Sequence, residues 1–118
     1  MSTPSRPRTA ILAIDQGSHA SRALLFSPTG SVLSLHRCKI GTMHHGPHRV
    51  EQDPEEIIAS LEAVIRQARE YAATHGLEIF HAGISTQRST VMAWERRSGK
   101  ALYPALSWQD TRAHRQLD

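Results

Sequence analysis

Ala10-Ile-Leu-Ala-Ile14 is an unbroken apolar run that stops at Asp15-Gln16-Gly17-Ser18, a pattern that predicts a strand covered on both faces followed by a tight turn. Arg22–Phe26 is a second strand candidate. Ser27-Pro-Thr-Gly30 reads as a Pro/Gly turn, and beyond it Val32–Ile40 alternates, with Leu33 and Leu35 set against Ser34 and His36. Three strands joined by short turns predict an antiparallel meander.

Gly41–Gln52 carries no sustained period and is read as a loop. At Asp53-Pro54-Glu55-Glu56 the pattern changes to a helix start: Asp53 as N-cap, Pro54 in the first helical position, Glu56 placed to reach back as the capping-box partner. Ile57, Ile58, Leu61, Val64, Ile65, Ala68 and Ala72 then fall on one stripe at helical period. Glu62/Arg66 and Arg66/Glu70 are i,i+4 pairs on the polar side, and Gly76 marks the end. Ile79–Thr86 and Thr90–Glu95 return to strand composition. Arg97-Ser-Gly-Lys100 is a hairpin-type turn, and Ala101–Trp108 is extended, with Pro104 at an edge. The expected order is α/β: a βββαβ core with an added hairpin. Asp110–Asp118 reads as a helix start cut short by the end of the chain, so the expected domain is incomplete.

Composition narrows the class. The 118 residues suit one domain, and 39% hydrophobic residues suffice for a core. The net charge of +3 comes from 14 Lys+Arg against 11 Asp+Glu scattered along the chain, unlike the clustered basic charge of a nucleic-acid binder. A single cysteine, Cys38, excludes a disulfide framework and a cysteine-based zinc site. No apolar run approaches a membrane span, and the Ser/Thr/Pro/Arg-rich residues 1–9 lack the core of a signal peptide and are read as a disordered leader. The expectation is a cytoplasmic protein with no membrane or nucleic-acid partner.

An acidic residue directly after a buried strand, followed by a glycine-containing turn into a second strand, can face a hydrated cation while backbone amides converge on an anion. Asp15-Gln16-Gly17-Ser18 has this form, and Arg22 can return across the hairpin toward a phosphate. On its own the segment reads better as a plain hairpin turn, with Asp15 as turn former and Arg22 as a solvated strand residue. His44, His45 and His48 sit in a loop with no carboxylate or thiol at matching spacing, and are read as solvated rather than metal-binding.

Five short motifs in order change the balance: Ile14-Asp15-Gln16-Gly17-Ser18 with Ser21-Arg22; Val50-Glu51-Gln52-Asp53-Pro54; Gly83-Ile84-Ser85-Thr86-Gln87-Arg88; Trp94-Glu95 with Ser98-Gly99-Lys100; and Trp108-Gln109. Together they resemble the amino-terminal part of the FGGY carbohydrate kinases, and among these the glycerol-kinase branch. The resemblance implies that residues 10–118 form the amino-terminal portion of a ribonuclease-H-like, actin-like ATPase domain using ATP and Mg²⁺. Asp15 would organise the metal, and Asp15, Gly17, Ser18 and Arg22 would hold the nucleotide. His19 and Ala20 stand where the family adds further hydroxyls.

On the acceptor side the resemblance implies Gln87, Arg88, Ser89, Trp108 and Asp110 as the residues binding a small polyol or sugar. Arg88 can donate forked hydrogen bonds to neighbouring hydroxyls, and Trp108 offers a flat wall to a C–H face. Ser89 replaces an acidic residue of the glycerol-kinase pattern, which opens the site to a longer polyol or a sugar, with Asp110 as a substitute acceptor. The family's general base and adenosine pocket lie outside these residues, so the expected function is a kinase fragment inactive alone and prone to self-association. Two other classes remain: a non-catalytic βββαβ binding module, and a ribonuclease-H-like nuclease, which would need a second carboxylate beside Asp15.

Overall fold

The computed structural model describes residues 6–116. Strands β1 (Arg8–Gln16), β2 (Ala20–Phe26) and β3 (Val32–Lys39) form the expected antiparallel meander, with Ile11 opposite Phe26 and Gln16 opposite Ser21. The turn after β2 closes through Gly30 N–H to the Ser27 carbonyl at 3.0 Å, with Gly30 at φ +92°. β1 starts two residues earlier than its apolar run. Arg8 and Thr9 belong to the sheet rather than to a leader, because they pair with Leu77 and Glu78 far along the chain. Of the rest of the expected leader, Arg6 and Pro7 take no regular structure, and residues 1–5 lie outside the described residues.

Helix α1 (Pro54–Thr74) begins where the capping signature predicts, with the Asp53 side chain accepting from Glu55 N–H at 2.9 Å. The capping box does not close. Glu56 turns instead to the Gly41 N–H, 2.6 Å away, tying the helix start to the end of the β3 segment. The helix lays Val64, Ala68 and Ala72 on Ala10, Leu12, Ala23 and Leu25 of the sheet, all nearly inaccessible to solvent. Alanines on both sides let the backbones approach closely. Ser60 donates to the Ile57 carbonyl at 2.7 Å, so Ser21, also 2.7 Å away, donates its own hydroxyl hydrogen to Ser60 and satisfies this buried polar pair. Ile58 is the exception on the apolar stripe and remains half exposed.

Gly76, at φ +63°, ends the helix and turns the chain into β6 (Leu77–Thr86), which returns parallel to β1 and gives the order β3-β2-β1-β6. This is the expected βββαβ arrangement, consistent with a ribonuclease-H-like, actin-like fold. A second small sheet joins β4 (Met43–His44), β5 (Val50–Gln52) and β7 (Ala105–Leu106) in the order β4-β5-β7. Two of its strands fall inside the expected loop 41–52. The expected strand Thr90–Glu95 does not form: single bridges, Val91 to Leu106 and Trp94 to Ala101, mark a rudimentary hairpin. Its turn is held by the Glu95 carboxylate, which accepts from the amides of Arg97 (3.0 Å) and Ser98 (2.6 Å) and titrates below its ordinary value for that reason. After Asp110 a short 3-10 turn (His114–Gln116) replaces the first part of the expected helix, whose last two residues lie outside the described ones.

Candidate functional site

The β1–β2 turn is tight because Gly17 N–H donates to the Ala20 carbonyl at 2.9 Å. A Cβ on Gly17 would lie 3.1 Å from that oxygen, so the close approach expected of glycine holds. Its amide, however, is committed to the hairpin and is not a phosphate donor. Alternation along the two strands puts Leu12, Ile14, Ala23 and Leu25 on the helix side, which turns Asp15 and Arg22 to the opposite face. They pair across the strands, Arg22 Nε to Asp15 Oδ2 at 3.4 Å, both about half exposed. Opposite Asp15 on β6 stands Ser85, so the second carboxylate that two-metal nuclease chemistry requires is not supplied by that neighbour.

Beyond the end of β6 the backbone passes Gln87 and Arg88 and reaches Ser89 in the left-handed region at φ +66°, which a serine rarely adopts. That turn, together with Ser18 and Trp108, lines an open cleft of about 430 Å³ whose walls are Ser18, Gln87, Arg88, Ser89 and Trp108. One residue expected on the nucleotide side and four expected on the acceptor side thus converge. Trp108 is 50% exposed, and its indole Nε1–H donates to Ser18 Oγ at 2.7 Å. Among the described residues no hydrogen bond or ion pair engages the Arg88 guanidinium, so its donors face the cleft mouth and solvent.

Beneath the cleft lies a buried amide network in which Gln16 and Gln52 had no assigned role. Gln52, 1% exposed, donates to the Ser18 carbonyl at 2.8 Å and accepts from Gln87 Nε2 at 3.1 Å. Gln87 Nε2 also approaches Gln16 Oε1 at 3.3 Å, and Gln87 Oε1 accepts from the Thr90 hydroxyl at 2.8 Å. The Gln87 side chain is therefore the floor of the cleft rather than a free ligand group. In sequence Gln52 stood out only as a member of the Val50–Pro54 motif, with no role attached to its side chain.

Asp110 lies elsewhere. Its oxygens accept from Val50 N–H at 2.8 Å and from the Arg112 guanidinium at 2.7 to 3.0 Å, which removes it as a substitute acceptor. The Arg112 hydrogen bonds hold its carboxyl well below the usual range, against the opposing effect of desolvation. Arg112 also reaches the buried Glu51 at 3.1 Å, and His45 Nε2 lies 3.2 Å from the same carboxylate. His48 Nδ1 pairs with the Thr111 hydroxyl at 3.0 Å. These contacts fasten the segment after β7 to β5. No helix among the described residues is long and apolar enough to cross a membrane.

Residues 10–118 match the N-terminal domain of the FGGY family of carbohydrate kinases. The chain is 39% identical over 105 residues to a glycerol kinase of Rhodospirillum centenum, covering 89% of this chain and 21% of the relative. Against a glycerol kinase of Afipia carboxidovorans it is 43% identical over 104 residues, covering 88% and 21%. The chain spans about a fifth of the length of these relatives. Among solved structures it is similar to a Plasmodium falciparum glycerol kinase with ADP, with a TM-score of 0.89 and 27% identity over 93% of this chain and 22% of that one. A xylulose-type sugar kinase of Brucella ovis shares the fold at TM-score 0.80 and 23% identity, covering 91% and 22%.

Proposed function

The chain belongs to the FGGY family of carbohydrate kinases, and we propose that it supplies the acceptor cleft and the first phosphate-facing turn of an enzyme that moves the γ-phosphoryl of Mg-ATP to a hydroxyl of a small polyol or sugar. The observation that carries this reading is the convergence of Ser18, Arg88, Ser89 and Trp108 on one open cleft. Arg88 binds adjacent hydroxyls through its fork of N–H donors, and Trp108 covers a C–H face. Glycerol is the leading acceptor, since relatives named glycerol kinase match the chain at 39% and 43% identity. Ser89 leaves room for a larger one.

Magnesium would meet Asp15. The half-exposed Asp15 carboxylate, although paired with Arg22, is open enough to face an ion that keeps most of its waters. When bound, the ion would neutralise charge on the phosphates; Asp15 would orient its water shell, and Arg22, now paired with Asp15, would turn from it to reach a phosphate oxygen. Phosphoryl transfer is chiefly positioning and charge stabilisation, so these residues act by placing the two reactants. The isolated chain is expected to turn over no substrate, because it spans about a fifth of its relatives.

A chimaera tests the reading: residues 10–118 replace the matching segment of the Afipia carboxidovorans glycerol kinase, and ADP release is followed with glycerol and D-xylulose. Turnover is expected with at least one of them. Arg88→Ala should lower kcat/KM by about 10- to 100-fold, the scale of losing charged hydrogen bonds. A folded chimaera that binds Mg-ADP yet phosphorylates neither acceptor would overturn the proposal. The non-catalytic module is the second reading, and that same result would support it.

A further inference from the structure

Five hydrogen bonds join Ser18 to Trp108 by two separate routes. Along one, Trp108 N–H donates to Thr90 Oγ1 at 3.2 Å, Thr90 donates to Gln87 Oε1 at 2.8 Å, Gln87 donates to Gln52 Oε1 at 3.1 Å, and Gln52 donates to the Ser18 carbonyl at 2.8 Å. Along the other, the Trp108 indole donates directly to Ser18 Oγ at 2.7 Å. The ring is closed and every donor points the same way, from Trp108 toward Ser18.

We propose that Ser18 is a positioning residue of the acceptor cleft, its hydroxyl holding the Trp108 indole in the plane against which the acceptor packs. The proposal rests on the cleft being the acceptor site. An indole half open to solvent has few neighbours to fix its rotamer, and exposed side chains flip on the picosecond-to-nanosecond scale. Nε1 lies off the Cβ–Cγ axis of the indole, so one short bond there restrains both side-chain torsions. The main-chain route fixes the other end of the residue, and it runs through Gln52, whose amide is locked by burial and by three oxygens: the Ser18 and Gly41 carbonyls and Thr42 Oγ1. Because Ser18 Oγ only accepts from Trp108, its own hydrogen remains available to an oxygen in the cleft. Ser18 is therefore shared between the wall and the ligand.

The test uses the 118-residue chain with ¹⁵N-labelled tryptophan, Trp94→Phe identifying the Trp108 indole signal, and glycerol and D-xylulose as probes. Ser18→Ala should shift the Trp108 indole N–H upfield, speed its exchange with water, and weaken polyol binding by about tenfold, the cost of one well-placed hydrogen bond. Ser18→Thr should restore all three. Trp108→Phe keeps a flat ring without the N–H, should weaken binding similarly, and carries the test if Ser18→Ala does not fold. In the double variant the two losses should not multiply. A wild-type chain that binds polyol while Ser18→Ala leaves the indole signal and the affinity unchanged overturns the proposal alone. A wild-type chain that binds neither probe removes the acceptor reading and the proposal with it.

Discussion

Gln52 has both ends of its amide engaged inside the protein, on the Ser18 carbonyl and on Gln87. Gln52→Leu keeps the volume but strands both partners, and should cost about 2–4 kcal/mol in a urea melt, since each unsatisfied buried polar group costs about 1–3 kcal/mol. Asp110 predicts a pH response. Its folded pKa is depressed by Arg112, so its contribution to stability is complete above the unfolded value of about 3.9 and is lost as pH falls through the lower folded value. Asp110→Asn should flatten the fall of stability with acid below about pH 4, measured by thermal melting. Arg88 and Trp108 were singled out because their motifs keep family order, whatever intervenes in the chain, whereas Ser18 was expected on the nucleotide side and lines the same cleft. Asp110 was misread for a physical reason: a carboxylate beside Trp-Gln declares nothing about its partner, and Arg112 together with the Val50 amide claims it.

At the scale of elements, α1 was the most readable because its signals agree: a cap, a proline in the first turn, a 3.6-residue stripe and a terminal glycine. Asp53→Ala should destabilise the chain by about 1 kcal/mol in a denaturant melt, the usual worth of an N-cap. Leu25→Ala should cost about 2–5 kcal/mol, because Leu25 is fully buried under that helix. The small sheet was not readable, since strands of two or three residues show no period and are fixed only by partners remote in sequence. Thr90–Glu95 failed in the opposite sense. It has strand composition but no neighbour beyond isolated bridges, and Thr90 is drawn instead into the hydrogen bonds of Gln87 and Trp108.

For the whole molecule, the helix covers one face of the main sheet, and β6 pairs with β1 on one side only, leaving Ile84 62% exposed and Phe80 44% exposed. An unpaired edge carrying apolar side chains favours association. Light scattering should therefore show mass rising with protein concentration, and Ile84→Lys should reduce that rise; a wild-type chain that stays monomeric across the range would contradict it. The strand made first, β1, lies in the middle of the sheet, and its parallel partner β6 is synthesised roughly 60 residues later, an interval of several seconds at ribosomal speeds of about 5–20 residues per second. Until α1 is complete, shortly before β6 begins, the nascent hairpin carries Ala10, Leu12, Ala23 and Leu25 uncovered. Translation speed between codons 40 and 74 thus sets how long that face of the hairpin stays uncovered.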